Sequence, residues 1–196
     1  QGRSSENQAA ADGIGGIAVI KTHLETVLAE LAQLPKFIDS QNMEELLRAI
    51  TSAGKIAVLG AGRSGLALKM VAMRLRHLGF DAYAAGETIS PALGSGDLLI
   101  AASGSGRTAS ICAIAHRARQ GGATVWALTG TTSSPLAETA HYLTLLPTGA
   151  TAHSVQFGGS LFEASVLLLG DALVLELLQR TGQGHQDLMA RHTNLE

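Results

Sequence analysis

Two glycine-bearing segments of this chain have the residue types and spacing of anion-binding turns. Gly60-Ala61-Gly62-Arg63-Ser64-Gly65 follows a short apolar run, Lys55 to Leu59, and precedes a helical stretch reaching Leu78. In a strand, glycine turn, helix sequence, free amide hydrogens and the helix dipole both favour an anion. The segment also matches G-x-G-x-x-G, for which an acid about 20 positions further on would bind a ribose, and Glu87 is a candidate for it. From this segment alone a dinucleotide, another phosphate and a merely tight turn all remain open. The second segment, Ser103-Gly104-Ser105-Gly106-Arg107-Thr108, closes the run Leu98 to Ala102 and opens the next helix. Ser103, Ser105 and Thr108 supply hydroxyls, and Gly104 and Gly106 let the backbone curl so that amides converge on an anion. Ser and Thr at a helix start also serve as simple caps. Arg63 and Arg107 either complete the anion site, since a guanidinium grips phosphate bidentately, or are surface charges.

A proton-transferring base beside such a site must be ionisable, near the strand ends and shielded from water. Glu163 is the first candidate, standing after Gly158-Gly159-Ser160-Leu161-Phe162 near the start of a long helix that follows the last strand. Its alternative role is a helix N-terminal carboxylate facing the dipole, worth roughly 0.3–1 kcal/mol. Glu87, in Gly86-Glu87-Thr88, is a further acid suited to binding hydroxyls or pairing with Arg63. His23, His77, His116, His141, His153 and His185 are scattered without zinc-type spacing, so no metal site is expected.

These residues need a scaffold, and the hydrophobic pattern supplies one. Leu24, Val27, Leu28, Leu31 and Leu34 mark one face of a leading helix from Ala9 to Leu34, ended by Pro35. A second helix is expected from Asp39, an N-cap, through Met43, Leu46, Leu47 and Ile50. Strands are predicted at Lys55 to Leu59, Asp81 to Ala84, Leu98 to Ala102, Thr124 to Leu128 and His141 to Leu145. Helices fall between them, from the first glycine segment to Leu78, from Thr108 to Gln120, and as a turn at Pro135 to Glu138. Two more follow, Ser160 to Arg180 and Gln186 to His192. Alternating strands and helices imply a parallel sheet covered on both faces. The expectation is a three-layer α/β/α sandwich, a flavodoxin-like five-stranded parallel sheet with leading and trailing helices. Ligands on such sheets bind outside the carboxyl ends of the strands.

Composition narrows the functional classes. The 196 residues include 23 glycines, 15% charged and 4% aromatic residues, with a 46% hydrophobic fraction that suits a packed core rather than disorder. A net charge of −2 without a basic run argues against nucleic acid. The most apolar stretch, Val166 to Leu178, is broken by Gly170, Asp171 and Glu176 and falls short of the roughly 20 residues of a membrane span. Cys112 is the lone cysteine, which suits a reducing cytoplasm. Residues 1–8 are expected to form a disordered arm or tag remnant, leaving 9–196 as a single domain. The helix from Leu161 to Leu178 is apolar around most of its circumference, so it must be covered on more than one side, by a second subunit or by the leading helices.

The serine-glycine segment on such a sheet resembles the sugar isomerase domain superfamily, which binds phosphosugars. More narrowly, Gly62-Arg63-Ser64-Gly65, Ala72-Met73-Arg74-Leu75, His77-Leu78-Gly79-Phe80, Gly86-Glu87-Thr88, Ser103 to Thr108 and Arg191-His192-x-Asn194-Leu195 together resemble the 6-phospho-3-hexuloisomerase family. The resemblance covers the chain from about residue 20 onward. It implies interconversion of D-arabino-hex-3-ulose 6-phosphate and fructose 6-phosphate through an enediol, in formaldehyde fixation by the ribulose monophosphate pathway, without cofactor or metal. It favours Glu163 as the base and raises His192, otherwise a tail histidine, to a proton carrier that reaches an active site, its own or a neighbouring subunit's. It also implies a homotetramer with sites near subunit boundaries. A non-catalytic phosphosugar sensor and a dinucleotide enzyme are the competing classes.

Overall fold

A computed structural model describes residues 19–195; the expected arm at residues 1–8 and the expected helix start at Ala9 lie outside the described residues. Residues 19–31 form helix α1, and a short 3-10 turn at Leu34–Phe37 leads to α2 (Ser40–Ser52), which Asp39 caps by accepting from the Asn42 amide. The sheet is built from β1 (Ile56–Gly60), β2 (Ala82–Ala84), β3 (Leu98–Ala102), β4 (Thr124–Thr129) and β5 (Tyr142–Leu145), in the order β2-β1-β3-β4-β5. All of its pairings are parallel. The remaining helices are α3 (Gly62–His77), α4 (Ala109–Gln120), α5 (Pro135–Thr139), α6 (Gly149–Ala152), α7 (Ser160–Thr181) and α8 (His185–Ala190). The expected three-layer, flavodoxin-like parallel sandwich is therefore the architecture found. α6 is an element the hydrophobic pattern did not indicate, because four residues are too few to show a period.

Side chains alternate across the pleat, so each central strand feeds two cores. Ile56, Val58, Leu98, Ile100, Trp126 and Leu128 meet α2, α3 and α7 on one face. Ala57, Leu59, Leu99, Ala101, Val125 and Ala127 meet Ile111 and Ala115 of α4 and Leu136 of α5 on the other. The apolar circumference of α7 divides in the same manner. Leu161, Val166, Leu169, Leu173 and Leu177 enter the core, while Leu168 and Leu175 stay 42% and 64% exposed. The leucine stripe of α1 does not cover them: Leu24 and Leu28 are each 56% exposed, and no described residue of α1 is buried. Outward-facing Leu66, Met70 and Met73 of α3 add to this uncovered apolar surface. Among the described residues no helix is long and apolar enough to cross a membrane.

Candidate active site

The strand order reverses direction between β1 and β3, and a crevice opens at such a switch point, outside the carboxyl ends of the strands. A cleft of about 630 Å³ lies there. Its lining draws on every loop that leaves a central strand: Ser64 after β1, Gly104 and Ser105 after β3, Gly130 and Thr131 after β4. Thr148 to Thr151, Gly158 and Gly159 close it, with Phe162 and Glu163 from the first turn of α7. Among the described residues, Glu163 is the one ionisable side chain in this lining. The other described lining residues present hydroxyls, backbone, the Ala150 methyl or the Phe162 ring, so the cleft offers hydrogen bonds to polar groups beside one carboxylate.

The serine-glycine segment keeps its shape through internal bonds. The Ser103 and Thr108 hydroxyls share a hydrogen bond of 3.0 Å, and the Arg107 amide donates to Ser105 Oγ at 3.2 Å. Thr108 stands at the N-cap of α4, yet its hydroxyl makes no capping bond, because it is committed to Ser103. Ser103 is 5% exposed and does not line the cleft, so it braces the segment from beneath. Arg107 leans away, donating to the Ser133 carbonyl at 3.1 Å. The Gly130 amide donates to the Gly104 carbonyl at 3.0 Å, which ties the loop after β4 to the loop after β3. In the first segment, a Cβ on Gly60 would lie 2.7 Å from the Gly65 nitrogen and one on Gly65 would lie 2.5 Å from the Gly60 oxygen. Those two glycines serve the close approach of strand and helix, whereas Gly62 and Arg63 stand exposed at the start of α3 and Ser64 faces the cleft.

Arg63 donates through Nε to Glu163 Oε2, and the two side chains are unequally exposed, 69% for the guanidinium and 18% for the carboxylate. The partner expected for Arg63 from the sequence, Glu87, is elsewhere. It pairs with Lys69 beside β2 and lines a separate pocket with Met73, Arg76 and Tyr83. Lys69 lies one turn before Met73 and two before Arg76 on the helical face that runs along β2, and its salt bridge holds the Glu87 carboxyl below the usual carboxylate range.

His192 is not brought to Glu163 within the chain. It follows α8 and lies against His77, the last residue of α3, with ring centroids 5.0 Å apart. Arg63 begins that same helix, so at 1.5 Å per residue roughly 20 Å separates the two candidate proton carriers. Burial, then the neighbouring His192 and Arg74, pushes the His77 imidazole below its ordinary value. The Arg191 guanidinium fastens the tail, donating to the His77 carbonyl at 3.0 Å and to Gln183 Oε1 at 2.7 Å. Among the described residues no group of His, Cys, Asp and Glu side chains is arranged to hold a metal ion.

Sequence reasoning missed Gly130, Thr131 and Thr148 to Thr151. A signal for Gly130 and Thr131 exists, since β3 and β4 both run into a glycine flanked by hydroxyl residues: Ser103-Gly104-Ser105, then Thr129-Gly130-Thr131.

Residues 49–169 match the SIS domain family. The chain is 38% identical to the 3-hexulose-6-phosphate isomerase of Mycobacterium gastri over 196 residues, covering 95% of this chain and 98% of that relative. A Methanococcus jannaschii structure, from which a molecular function of 3-hexulose-6-phosphate isomerase was inferred, superposes with a TM-score of 0.76 at 31% identity, over 89% of this chain and 99% of that one. Vibrio vulnificus NanR complexed with ManNAc-6P superposes with a TM-score of 0.70 at 25% identity, over 88% of this chain and 65% of that one.

Proposed function

The chain belongs to the SIS domain family, and from that membership we propose that it is a phosphosugar isomerase interconverting 3-hexulose 6-phosphate and fructose 6-phosphate. The observation that carries the chemistry is Glu163, the single carboxylate among the described residues of a cleft otherwise walled mainly by hydroxyls and backbone. Moving the carbonyl from carbon 3 to carbon 2 requires a base that takes the proton from carbon 2 while the oxygen at carbon 3 gains one. The resulting enediol then loses the proton on the carbon 2 oxygen and is reprotonated at carbon 3. Glu163 takes and returns the carbon-bound proton. Ser64, Ser105 and the backbone of Gly104 and Ser105 hold the phosphate and the hydroxyls, and Arg63 sets the carboxylate against the substrate.

His192 moves the oxygen-bound protons, and it does so in the cleft of a neighbouring subunit, because it lies at the far end of α3 from its own Glu163. The uncovered apolar faces of α1, α3 and α7 supply the contacts of a homotetramer. The assay couples fructose 6-phosphate formation from the 3-hexulose phosphate to a dehydrogenase. Glu163→Gln is expected to lower kcat by about 10²–10⁴-fold, the usual range for removing an acid–base group. Co-refolding Glu163→Gln with His192→Ala is expected to restore turnover that neither variant shows alone, since mixed assemblies contain clefts with both groups. Tight phosphosugar binding by a wild-type protein without turnover would instead identify a sensor.

A further inference from the structure

No described residue of helix α1 is buried, yet a carboxylate in its last turn makes three hydrogen bonds to one short segment. Glu30 accepts from the Ser154 hydroxyl, from the Val155 amide at 2.9 Å and from the Gln156 side-chain amide at 2.8 Å. That segment is the middle of the connection between β5 and α7. Both of its flanks face the cleft, Thr148 to Thr151 on one side and Gly158 and Gly159 on the other. The N-terminal flank is stiff: Thr148 and Thr151 form a capping box, and His153 ends α6 in the left-handed region at φ 50°. The C-terminal flank leads into the base itself, since the Glu163 amide donates to the Gly159 carbonyl at 2.9 Å. Between the flanks the middle has little apolar anchorage, with Val155 78% and Phe157 95% exposed. Hydrogen bonding, from Ser154 first, then Gln156 and the Val155 amide, keeps the Glu30 carboxyl below the usual carboxylate range, so it acts as an anion throughout the neutral range.

We propose that Glu30 is a positioning residue for the reaction: from the end of α1 it clamps Ser154, Val155 and Gln156, and so sets the wall of the cleft from Thr148 to Gly159 against the bound sugar phosphate. The proposal rests on the isomerase reading for its substrate. Without the clamp the wall samples other positions, and apparent affinity falls by the fraction of time it spends in the competent one. If that fraction drops to about one tenth, KM rises about tenfold.

The test compares wild type, Glu30→Ala and Glu30→Gln as full chains, by hydrogen exchange of the 154–157 peptide and by steady-state kinetics with 3-hexulose 6-phosphate. Glu30→Ala is expected to speed exchange in that peptide and raise KM about tenfold, with kcat within threefold of wild type. Glu30→Gln, which keeps an acceptor oxygen, should lie between. A KM within twofold of wild type for Glu30→Ala would overturn the proposal, as would unchanged exchange. Should Glu30→Ala fail to fold, Ser154→Ala and Gln156→Ala remove single donors, and both must raise KM for the proposal to stand. If the wild type turns over no hexulose phosphate, the isomerase reading fails by itself, and the clamp is then judged by the affinity of the same variants for fructose 6-phosphate.

Discussion

Gly106→Ala tests whether the serine-glycine loop depends on its backbone shape. Gly106 has φ 64°, and its carbonyl accepts from the Leu136 amide and from Cys112 Sγ. A Cβ there would lie 2.1 Å from Ser134 Oγ, 2.6 Å from Ser134 Cβ and 3.1 Å from Thr129 Oγ1. Neither neighbour has room to retreat, with Ser134 1% and Thr129 0% exposed. The left-handed conformation costs an alanine about 1–2 kcal/mol, and the overlap adds about 1–3 kcal/mol. Together they predict a loss of about 2–5 kcal/mol, or a loop shift that misplaces the Ser105 hydroxyl and the neighbouring amides. Ser134→Gly removes the two closest atoms. Glycine also serves as an N-cap at a cost of a few tenths of a kcal/mol, so the double variant should recover the overlap part, about 1–3 kcal/mol, and retain the strain. Urea unfolding is followed by the single tryptophan, Trp126, which is fully buried, and KM for fructose 6-phosphate is measured alongside. A Gly106→Ala protein within about 0.5 kcal/mol of wild type, or a double variant that recovers nothing, would refute the reasoning.

Two other predictions concern the framework. A Cβ on Gly170 of α7 would lie 2.1 Å from Val71 Cγ2 of α3, and Val71 is β-branched and held to one rotamer in its helix. Gly170→Ala should therefore destabilise despite a propensity gain of about 1 kcal/mol, and a double-mutant cycle with Val71→Ala should show favourable coupling of about 1–3 kcal/mol by urea unfolding. His77, whose folded value is depressed first by burial and then by His192 and Arg74, resists a proton that the unfolded chain accepts near its ordinary 6.5. Its neutral folded form carries no penalty above that pH, and stability falls as pH drops through 6.5 toward the lower folded value. The urea midpoint should consequently fall less between pH 7.5 and pH 5.5 in His77→Gln than in wild type.

Much of this protein is legible along the chain because it depends on neighbours in sequence. The strand Leu98–Ala102 has the boundaries its apolar run predicts, and Asp39 caps α2 as its residue type suggests. The glycine segments mark the carboxyl ends of β1 and β3, since strand, turn and helix follow one another within a dozen residues. Glu163 is legible as well, standing one turn into a helix at the same edge of the sheet. What the chain does not disclose is the choice among distant partners. Arg63 takes Glu163, one hundred positions away, rather than Glu87, and Glu87 takes Lys69 across the edge of β2. The stripe on α1 announces amphipathicity but not what its apolar face meets, and among its described residues only Leu34, past the end of α1, enters the core. The segment from Thr148 to Gly159 has no period to read, and only its fastening to Glu30 gives it a place in the cleft wall. Hydrophobic periodicity sets which face of an element is buried. The packing of α3 against α7, close enough that Gly170 must lack a side chain, decides which polar side chains at their ends meet and leaves His192 at the opposite end of the pair.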